Sequence, residues 1–453
     1  MKRKTTIFAI GLCSILTLCQ GVLAAVTPEE AAKLKTTLTP LGAEKAGNGD
    51  GTIPAWEGGY TIVPEGYKSG DKRPDPYADE KPLFSITAQN MDQYADKLAE
   101  GVKALLKKDP SFRLDVYPTH RTAAVPQFVY DNTFENATRA KTTNNGLSIE
   151  GAYGGIPFPI PKDGFEVMWN HLLAFRGEAT SVPFRNYLIT PDGKNILVVE
   201  AEDQEQFPYY LKDTPMEQWN GEFFLFRQVQ KAPPFKAGET ILARDPVDMY
   251  GKGRQAWQYL VGQRRTRRAP SIAYDTPDFV SSGHNYFDEV FVFNGALDRY
   301  DWKLIGKQEM YVPYNANTFY LQKDKDIIGE KGVNPDYVRW ELHRVWVVEG
   351  NLATGKRHVV AKRRMYIDED SWWTVLYDGW DGQGQLWRST LSLPLLAMDF
   401  PAIVPVSMFV YNLQTGACCA TIITNEMPVQ FQSVQPRPDS FFTPDALAGS
   451  GIR

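Results

Sequence analysis

Hydrophobic and polar residues alternate along most of the C-terminal two thirds of the chain, and this period of two is typical of β-strands. The segment "AWQYLVGQ" places Trp257, Tyr259 and Val261 on one face of such a strand. Turn residues separate the alternating segments at hairpin intervals, as in "PDGKN" before "ILVVEAE". The pattern therefore predicts a large antiparallel sheet.

The segment "FDEVFVFNGALDRYDWKLIGKQEMYVPY" has the outline of a β-hairpin. We expect Phe291 and Phe293 on its first strand and a turn at Asn294-Gly295. The return strand would place four apolar residues on one side: Trp302, Leu304, Met310 and Val312. The alternation continues through three or four more strands, which contain Trp346 and Trp373.

Three segments have helical signals. Thr27-Pro28-Glu29-Glu30 is a capping box with Pro at the first helical position, so a short helix should run to about Leu38. The segment "SITAQNMDQYADKLAEGVKALLKKDP" has apolar residues at helical spacing, and "GFEVMWNHLLAFRG" predicts a short helix from Phe165 to Phe175. Residues 112–161 read as irregular. The fold class is mainly β (α+β), with a few helices.

The N-terminus has the pattern of a secretory signal peptide. A cationic start at residues 2–4 precedes the apolar run Ile7 to Leu18, and Val22-Leu23-Ala24 offers a cleavage site. Leu12 and Leu18 precede Cys13 and Cys19, a position where a lipoprotein signal needs a small residue. We therefore expect a mature periplasmic chain from about Ala25, either free or peripheral at the outer membrane.

The expected organisation has three parts. Residues 1–24 are the signal peptide, residues 25–164 form an N-terminal helical and irregular segment packed on the sheet, and residues 165–453 form the sheet domain.

Charge and cysteine content exclude some classes of function. The chain has 49 Lys and Arg against 54 Asp and Glu, and loss of three cations with the signal peptide makes the mature chain more acidic. This balance argues against general binding to nucleic acid. Cys418 and Cys419 are adjacent and should point to opposite faces of a strand, with a redox couple as the alternative.

The glycine-rich segment "AGNGDGTIPAWEGG" resembles a calcium loop only superficially. If Asn48 is position 1 of an EF-hand loop, Ile53 occupies the glycine position and Gly59 the position of the bidentate Glu. We therefore predict a turn in which Asp50 bonds its own backbone, without specific calcium binding.

Catalytic motifs are scarce, so we predict no enzyme, no metal and no cofactor. The five histidines lack metal-binding spacing, and the nucleophile motif Gly-x-Ser-x-Gly does not occur. Two carboxylate clusters could serve a polymer hydrolase, but Asp and Gly also favour the turns expected there. The clusters are Asp368, Glu369 and Asp370, and Asp378 and Asp381.

The densest positive charge lies in "GQRRTRRAP". A continuous strand would carry Arg265 and Arg267 onto the same face as Trp257 and Tyr259, where they could bind a headgroup or a partner. Alternatively, these arginines could pair with carboxylates of neighbouring strands.

Several long motifs resemble the bacterial family of domain of unknown function 1329. They include "AGNGDGTIPAWEGG", "NGLSIEGAYGGIPFPIPKDGFEVMWNHL" and "AKRRMYIDEDSWW". The segment "WQYLVGQRRTRRAP" is also similar to the outer-membrane lipoprotein-sorting proteins LolA and LolB. This resemblance implies a curved antiparallel half-barrel with helices on its concave side and an apolar cavity for acyl chains.

The leading hypothesis is a periplasmic carrier or chaperone for a lipid or another hydrophobic molecule. The resemblance implies an inner-membrane exporter and an outer-membrane protein as partners. The expected cavity residues are Trp257, Tyr259, Val261, Phe291, Phe293, Trp302, Met310, Trp346 and Trp373. A polysaccharide-binding or scaffold subunit of an envelope complex is the alternative, and a polymer hydrolase is a third.

Overall fold

The computed structural model describes residues 25–270 and 272–450. The expected signal peptide, residues 1–24, lies outside the described residues. Within the described part of the chain, none of the helices combines the length and apolar character that a membrane crossing requires.

One large open sheet dominates the fold. Sixteen strands of the described chain belong to it, in the order β1-β2-β12-β13-β14-β15-β16-β17-β5-β6-β7-β8-β9-β10, with β11 beside β12 and β18 beside β5. Every pairing in it is antiparallel except that of β2 with β12. The strands are β1 Phe84–Ile86, β2 Leu114–Val116, β3 Lys141–Thr143, β4 Ser148–Glu150, β5 Ala179–Ile189, β6 Asn195–Gln206, β7 Glu222–Ala232, β8 Thr240–Pro246, β9 Gln255–Leu260, β10 Arg265–Arg268, β11 Tyr300–Pro313, β12 Arg339–Leu352, β13 Lys362–Asp368, β14 Thr374–Trp380, β15 Leu386–Ala397, β16 Ala402–Asn412, β17 Cys418–Ile423 and β18 Gln432–Ser433. β3 and β4 form a separate pair.

The helices are short and few. They are α1 Pro28–Ala31, α2 Glu100–Lys108, α3 Gln127–Arg139, α4 Gly164–Leu172, α5 Asn317–Leu321, α6 Asp324–Ile327 and α7 Pro444–Ser450. The predicted fold class, mainly β with a large antiparallel sheet and a few helices, is therefore confirmed.

The sheet curves around α4. This helix packs on β11 and β12, while its Trp169 ring lies 6.3 Å from that of Phe223 on β7, far along the strand order. One helix can touch strands so distant in the order only if the sheet bends round it. Gly164 permits the close approach, because a Cβ there would lie 2.6 Å from the Trp302 carbonyl. The concave side therefore holds a helix, as the predicted half-barrel requires.

The helix predictions are partly correct. The helix predicted at 165–175 is α4. The long helix predicted around residues 91–108 is instead a 3₁₀ segment, Met91–Lys97, followed by α2, because Leu98 adopts an extended conformation between them. α1 ends at Ala31 and a 3₁₀ turn follows, and α3 lies in a region predicted to be irregular.

The predicted hairpin at residues 291–312 is wrong in its first strand. Residues 287–299 form two 3₁₀ turns and connecting loops, and the first strand after them is β11. Phe291 and Val292 have φ of 51° and 68°, values that are incompatible with a strand. β11 pairs with β12, which follows it in the chain.

The glycine-rich segment near Asp50 is a turn, as predicted. The Asp50 carboxylate accepts hydrogen bonds from the Thr52 backbone N–H at 3.0 Å and from the Thr52 hydroxyl at 2.5 Å. Asn48 accepts a further bond from the backbone N–H of Ile53. These oxygens therefore stabilise the backbone turn.

Candidate ligand-binding cavity

A mainly apolar cavity of about 60 Å³ lies between the concave side of the sheet and a long connection. β5, β7 and β8 supply its sheet wall, through Phe184, Phe224, Phe226, Ile241 and Ala243. Alternate residues of a strand share a face, so these side chains point the same way along each strand. The cavity also borders β16 and β17 through Met408 and Ile422.

Residues 272–294, which we call the covering segment, form the opposite wall. Its apolar contributions include Ile272, Val280, Phe287 and Phe291. All four side chains are at most 7% exposed although they lie on a connection between strands. A connection that buries apolar side chains in this way encloses the cavity on the side away from the sheet.

Two buried ion pairs fix the covering segment to the sheet. Glu289 accepts two bonds from Arg388 of β15, at 2.6 and 2.7 Å. Asp288 accepts a bond of 2.7 Å from Arg363 of β13 and lies 2.9 Å from His358. The pair of Arg388 and Glu289 is bidentate and therefore holds geometry as well as charge, so this end of the segment is firmly attached.

Unfavourable backbone conformations cluster beside the cavity. Phe291 and Val292 of the covering segment and Ile422 of β17 have positive φ, which is unusual for bulky or β-branched residues. Surrounding contacts hold them in place, since the Val292 N–H donates to the Met408 sulfur at 3.2 Å. Such strain persists only where the surroundings impose it, and it concentrates at functional sites.

Polar side chains interrupt the apolar lining, among them Asp203, Gln228, Asp278 and Asn285. Asp203 of β6 stands directly opposite Gln228 of β7, and Asp278 and Asn285 come from the covering segment. All four are buried. Burial raises the pKa of Asp278 to about 7 and, together with the nearby charge of Glu205, raises that of Asp203 well above its ordinary value. Both carboxyl groups therefore favour the neutral form more than an exposed Asp does.

The two arginines nearest the cavity differ in their contacts, since Arg254 is ion-paired and Arg176 contacts aromatic rings. Arg254 makes a bidentate pair with Asp245, both bonds being 2.6 Å, and donates further bonds to the Ile272 carbonyl and Asn294. Arg176 lies in an adjacent small cavity, and its guanidinium sits 4.0 Å from the centre of the Phe291 ring. Burial lowers the pKa of Arg176, while Glu205 and Asp203 oppose that shift.

Phe291 is the one residue of the expected cavity set that lines this cavity. The structure places Trp257, Tyr259 and Val261 on the other face of the sheet, in a cluster with Leu225, Leu242, Phe442 and Leu447. On the neighbouring strand, Ile241 and Ala243 face the cavity, and Leu242, opposite Trp257, faces away. The expectation that the Trp257 face lines the cavity is therefore wrong for this cavity.

The remaining expected residues lie in the main core. Phe293 packs against Trp302, with ring centroids 5.2 Å apart, and Met310 is buried in β11. Trp346 stacks on Trp372, and Trp373 lies edge-on to His171 of α4. These side chains belong to the main core or pack against it, and none of them lines the cavity with Phe291.

The expected orientation of Arg265 and Arg267 is also wrong. They stand opposite Leu260 and Gln258, while Thr266 and Arg268 stand opposite Tyr259 and Trp257. The reason is a tight turn at residues 261–264, with Arg264 left-handed, which reverses the chain where the sequence suggested one continuous strand. Both arginines are exposed, and no ion pair joins them to a carboxylate of the described chain.

Comparison with known proteins now identifies the family. The family model described as "Protein of unknown function (DUF1329)" matches residues 85–448. The chain belongs to the DUF1329 family. The uncharacterized protein PA3922 of Pseudomonas aeruginosa is 40% identical over 456 residues and covers 100% of both chains.

Solved structures are similar at low sequence identity. A domain from Vibrio parahaemolyticus, described as an outer membrane lipoprotein-sorting protein domain, is 14% identical, covers 63% of this chain and 98% of its own, and has a TM-score of 0.43. A DUF1329 protein from Desulfovibrio piger is 12% identical over 63% of this chain and 97% of its own, with a TM-score of 0.42. The LolA superfamily protein NE2245 of Nitrosomonas europaea is 12% identical over 63% and 100%, with a TM-score of 0.36.

The motif "YIDEDSWW" of this DUF1329 chain forms a buried ion network that joins the N-terminal segment to the sheet. Arg121 makes a bidentate pair with Asp370, at 2.7 and 2.8 Å. Arg344 pairs with Glu369 at 2.6 Å and also donates to the Ala46 carbonyl. The cluster occupies the turn between β13 and β14, as predicted, and its buried carboxylates cannot reach a polymer in this conformation.

The same network contains a group of potential metal ligands. Atoms of His343, Asp368 and Asp370 lie within 4.8 Å of one another. Asp370, however, is bonded to Arg121, and His343 lies 3.0 Å from Glu341 and 3.5 Å from Asp368. Burial alone lowers the pKa of His343, but these two carboxylates raise it to about 9. A protonated His343 suits this arrangement better than a metal ion does.

Sequence reasoning missed Asp203, Gln228, Asp278 and Asn285. One signal was present in β6, where Val199, Ala201, Asp203 and Glu205 share a face. A run of buried positions that changes from apolar to acidic on one face marks a place where the core contains a polar site. The two residues of the covering segment have no such periodic signal.

Proposed function

We propose that this protein is a periplasmic carrier or chaperone that binds an apolar molecule between the concave side of its sheet and the covering segment. The supporting observation is the mainly apolar cavity there, enclosed by Phe184, Phe224 and Ile241 on one side and by Phe287 and Phe291 on the other. Periplasmic location rests on the signal pattern at residues 1–24.

The size of the cavity determines how binding must work. A volume of about 60 Å³ has room for roughly four to six water-sized groups. A longer chain therefore requires the covering segment to move away from the sheet. Each methylene group then buried contributes about 0.8 kcal/mol to binding.

The attachment of the covering segment suggests which part moves. Asp288 and Glu289 are fixed to the sheet by buried ion pairs with Arg363 and Arg388. In the described structure, residues 272–286 have no ion pair and are attached by apolar side chains and by single hydrogen bonds, such as those of the Ile272 and Val280 carbonyls. We propose that residues 272–286 open while the anchored end stays in place. Release would need a partner that offers the ligand a better apolar site, such as an inner-membrane exporter or an outer-membrane protein.

The test is binding of the neutral fluorescent probe N-phenyl-1-naphthylamine. Ala243 points into the cavity and is 4% exposed, so Ala243→Trp should fill the space and reduce probe affinity at least tenfold. The control is Ile305→Trp, which adds the same side chain at a position that is 42% exposed. Equal probe binding by both variants, or no binding by the wild-type protein, would contradict the proposal.

A further inference from the structure

Unused hydrogen-bonding capacity in the cavity points to one class of ligand. We infer that the ligand carries a neutral hydroxyl group at its buried end, as a long-chain or polycyclic alcohol does, and that Asp203, Gln228 and Asn285 bind this group. The inference rests on the proposed function and extends it from apolar ligands in general to hydroxylated ones.

Three buried polar atoms around the cavity have no hydrogen-bond partner within the described part of the chain. Oδ1 of Asp203, Oε1 of Gln228 and Oδ1 of Asn285 are buried, and none has a hydrogen-bond partner in the described structure. All three side chains line the cavity and are at most 5% exposed. Leaving a buried polar atom unsatisfied is destabilising, so three such atoms around one space indicate a polar group that belongs there.

A fourth polar residue of the cavity, Asn186, has its hydrogen bonds satisfied. Asn186 also lines the cavity, but its amide donates to the Val280 carbonyl and accepts from the Ile422 N–H, both at 2.8 Å. Its hydrogen bonds hold the covering segment and β17 together. The fold therefore satisfies the oxygen of a cavity amide where the amide is structural, and it leaves the amide oxygens of Gln228 and Asn285 without a partner among the described residues.

The charges around the cavity favour a neutral group over an anion. A carboxylate or phosphate headgroup would need a free cation in the cavity, but Arg254, which lines it, is committed to Asp245. Arg176 has an Nη1 atom that is unpartnered in the described structure, but it lines the adjacent small cavity, together with Glu205 and Asp203. The side chains that line the cavity itself and carry unpartnered buried atoms are two amides and one carboxyl group. A hydroxyl group can donate its one hydrogen bond to one of these acceptor oxygens and can accept from an amide N–H or from protonated Asp203. An anion could donate to none of them and would lie beside Asp203 without a free counter-charge in the cavity.

The test compares three ligands with the same chain length: 1-dodecanol, dodecyl methyl ether and dodecanoate. Each ligand is used, below the concentration at which that ligand aggregates, to displace N-phenyl-1-naphthylamine from the mature protein. We expect 1-dodecanol to bind at least tenfold more tightly than the ether, which cannot donate a hydrogen bond, and more tightly than dodecanoate. Equal affinity for alcohol and ether, or tightest binding of dodecanoate, would overturn the inference and leave the proposed function standing.

A pair of variants assigns the preference to the cavity. Gln228→Leu should reduce the ratio of the affinity for 1-dodecanol to the affinity for dodecyl methyl ether at least fivefold. The affinity for N-phenyl-1-naphthylamine should stay within twofold of the wild-type value. Gln230→Leu is the control, because Gln230 lies on the same strand and also has unpartnered buried atoms, but does not line the cavity. An unchanged ratio in Gln228→Leu would overturn the assignment. If the wild-type protein binds no probe, the proposed function fails and this inference fails with it.

Discussion

At the residue scale, His343 combines deep burial with a positive charge. The ring is 1% exposed and lies between Glu341 and Asp368, with the Tyr314 ring centroid 4.0 Å away. Its pKa of about 9 in the folded protein exceeds the ordinary value of 6.5. The folded state therefore binds this proton more tightly than the unfolded state does.

This difference predicts a pH dependence of stability. The stabilisation linked to His343 is complete below about pH 6.5 and is lost as the pH rises through about 9. At about 1.4 kcal/mol per pKa unit, the free energy of unfolding should fall by on the order of 3 kcal/mol over this range. Urea unfolding of the wild-type protein should give a lower free energy of unfolding at pH 9.5 than at pH 6.5.

Two histidine variants make the pH measurement specific. His343→Gln should lower the free energy of unfolding at pH 6.5 and should reduce the difference in this free energy between pH 6.5 and pH 9.5. His171→Gln should keep the wild-type difference, because burial lowers the pKa of His171 to about 4 and the ring is neutral throughout this range. If His343→Gln shows the same difference between the two pH values as the wild-type protein, His343 does not carry the linked proton.

At the element scale, the covering segment shows where sequence reasoning fails. Its residues Phe291 and Phe293 alternate as in a strand, so local pattern predicted a hairpin. Tertiary contacts determine the actual conformation, since the Val292 N–H bonds to Met408 and the Phe293 carbonyl bonds to His171 of α4. Such contacts join residues more than 100 positions apart, and no local period reveals them.

The buried pair of Arg388 and Glu289 should control how easily this segment opens. In Arg388→Met, Glu289 remains buried without its partner, which should destabilise the protein by about 3–5 kcal/mol. Hydrogen–deuterium exchange should rise most in peptides from residues 272–294. The control is Arg364→Met on β13, whose pair with Glu349 is partly exposed and contributes about 0–1 kcal/mol. An increase spread evenly over the sheet would argue against a separately opening segment.

At the scale of the whole molecule, alternation and turn signals were sufficient to predict a mainly β fold, and helical signals were sufficient to predict α4. They could not give the strand order, because β17 pairs with β5 across more than 200 residues of sequence. They also could not show which face is concave. On β9, Ala256 faces the covering segment and Tyr259 packs on the C-terminal residues, so both faces are apolar.

The most direct test of the central claim is to locate a bound ligand. A long-chain alcohol with a photoactivatable diazirine near its terminal methyl group is incubated with the mature protein, irradiated and mapped by peptide mass spectrometry. We expect cross-links in residues 224–243 and 272–294, and their loss in Ala243→Trp. Cross-links concentrated at Trp257, Tyr259 and residues 439–447, or labelling that Ala243→Trp leaves unchanged, would contradict a ligand site between the sheet and the covering segment.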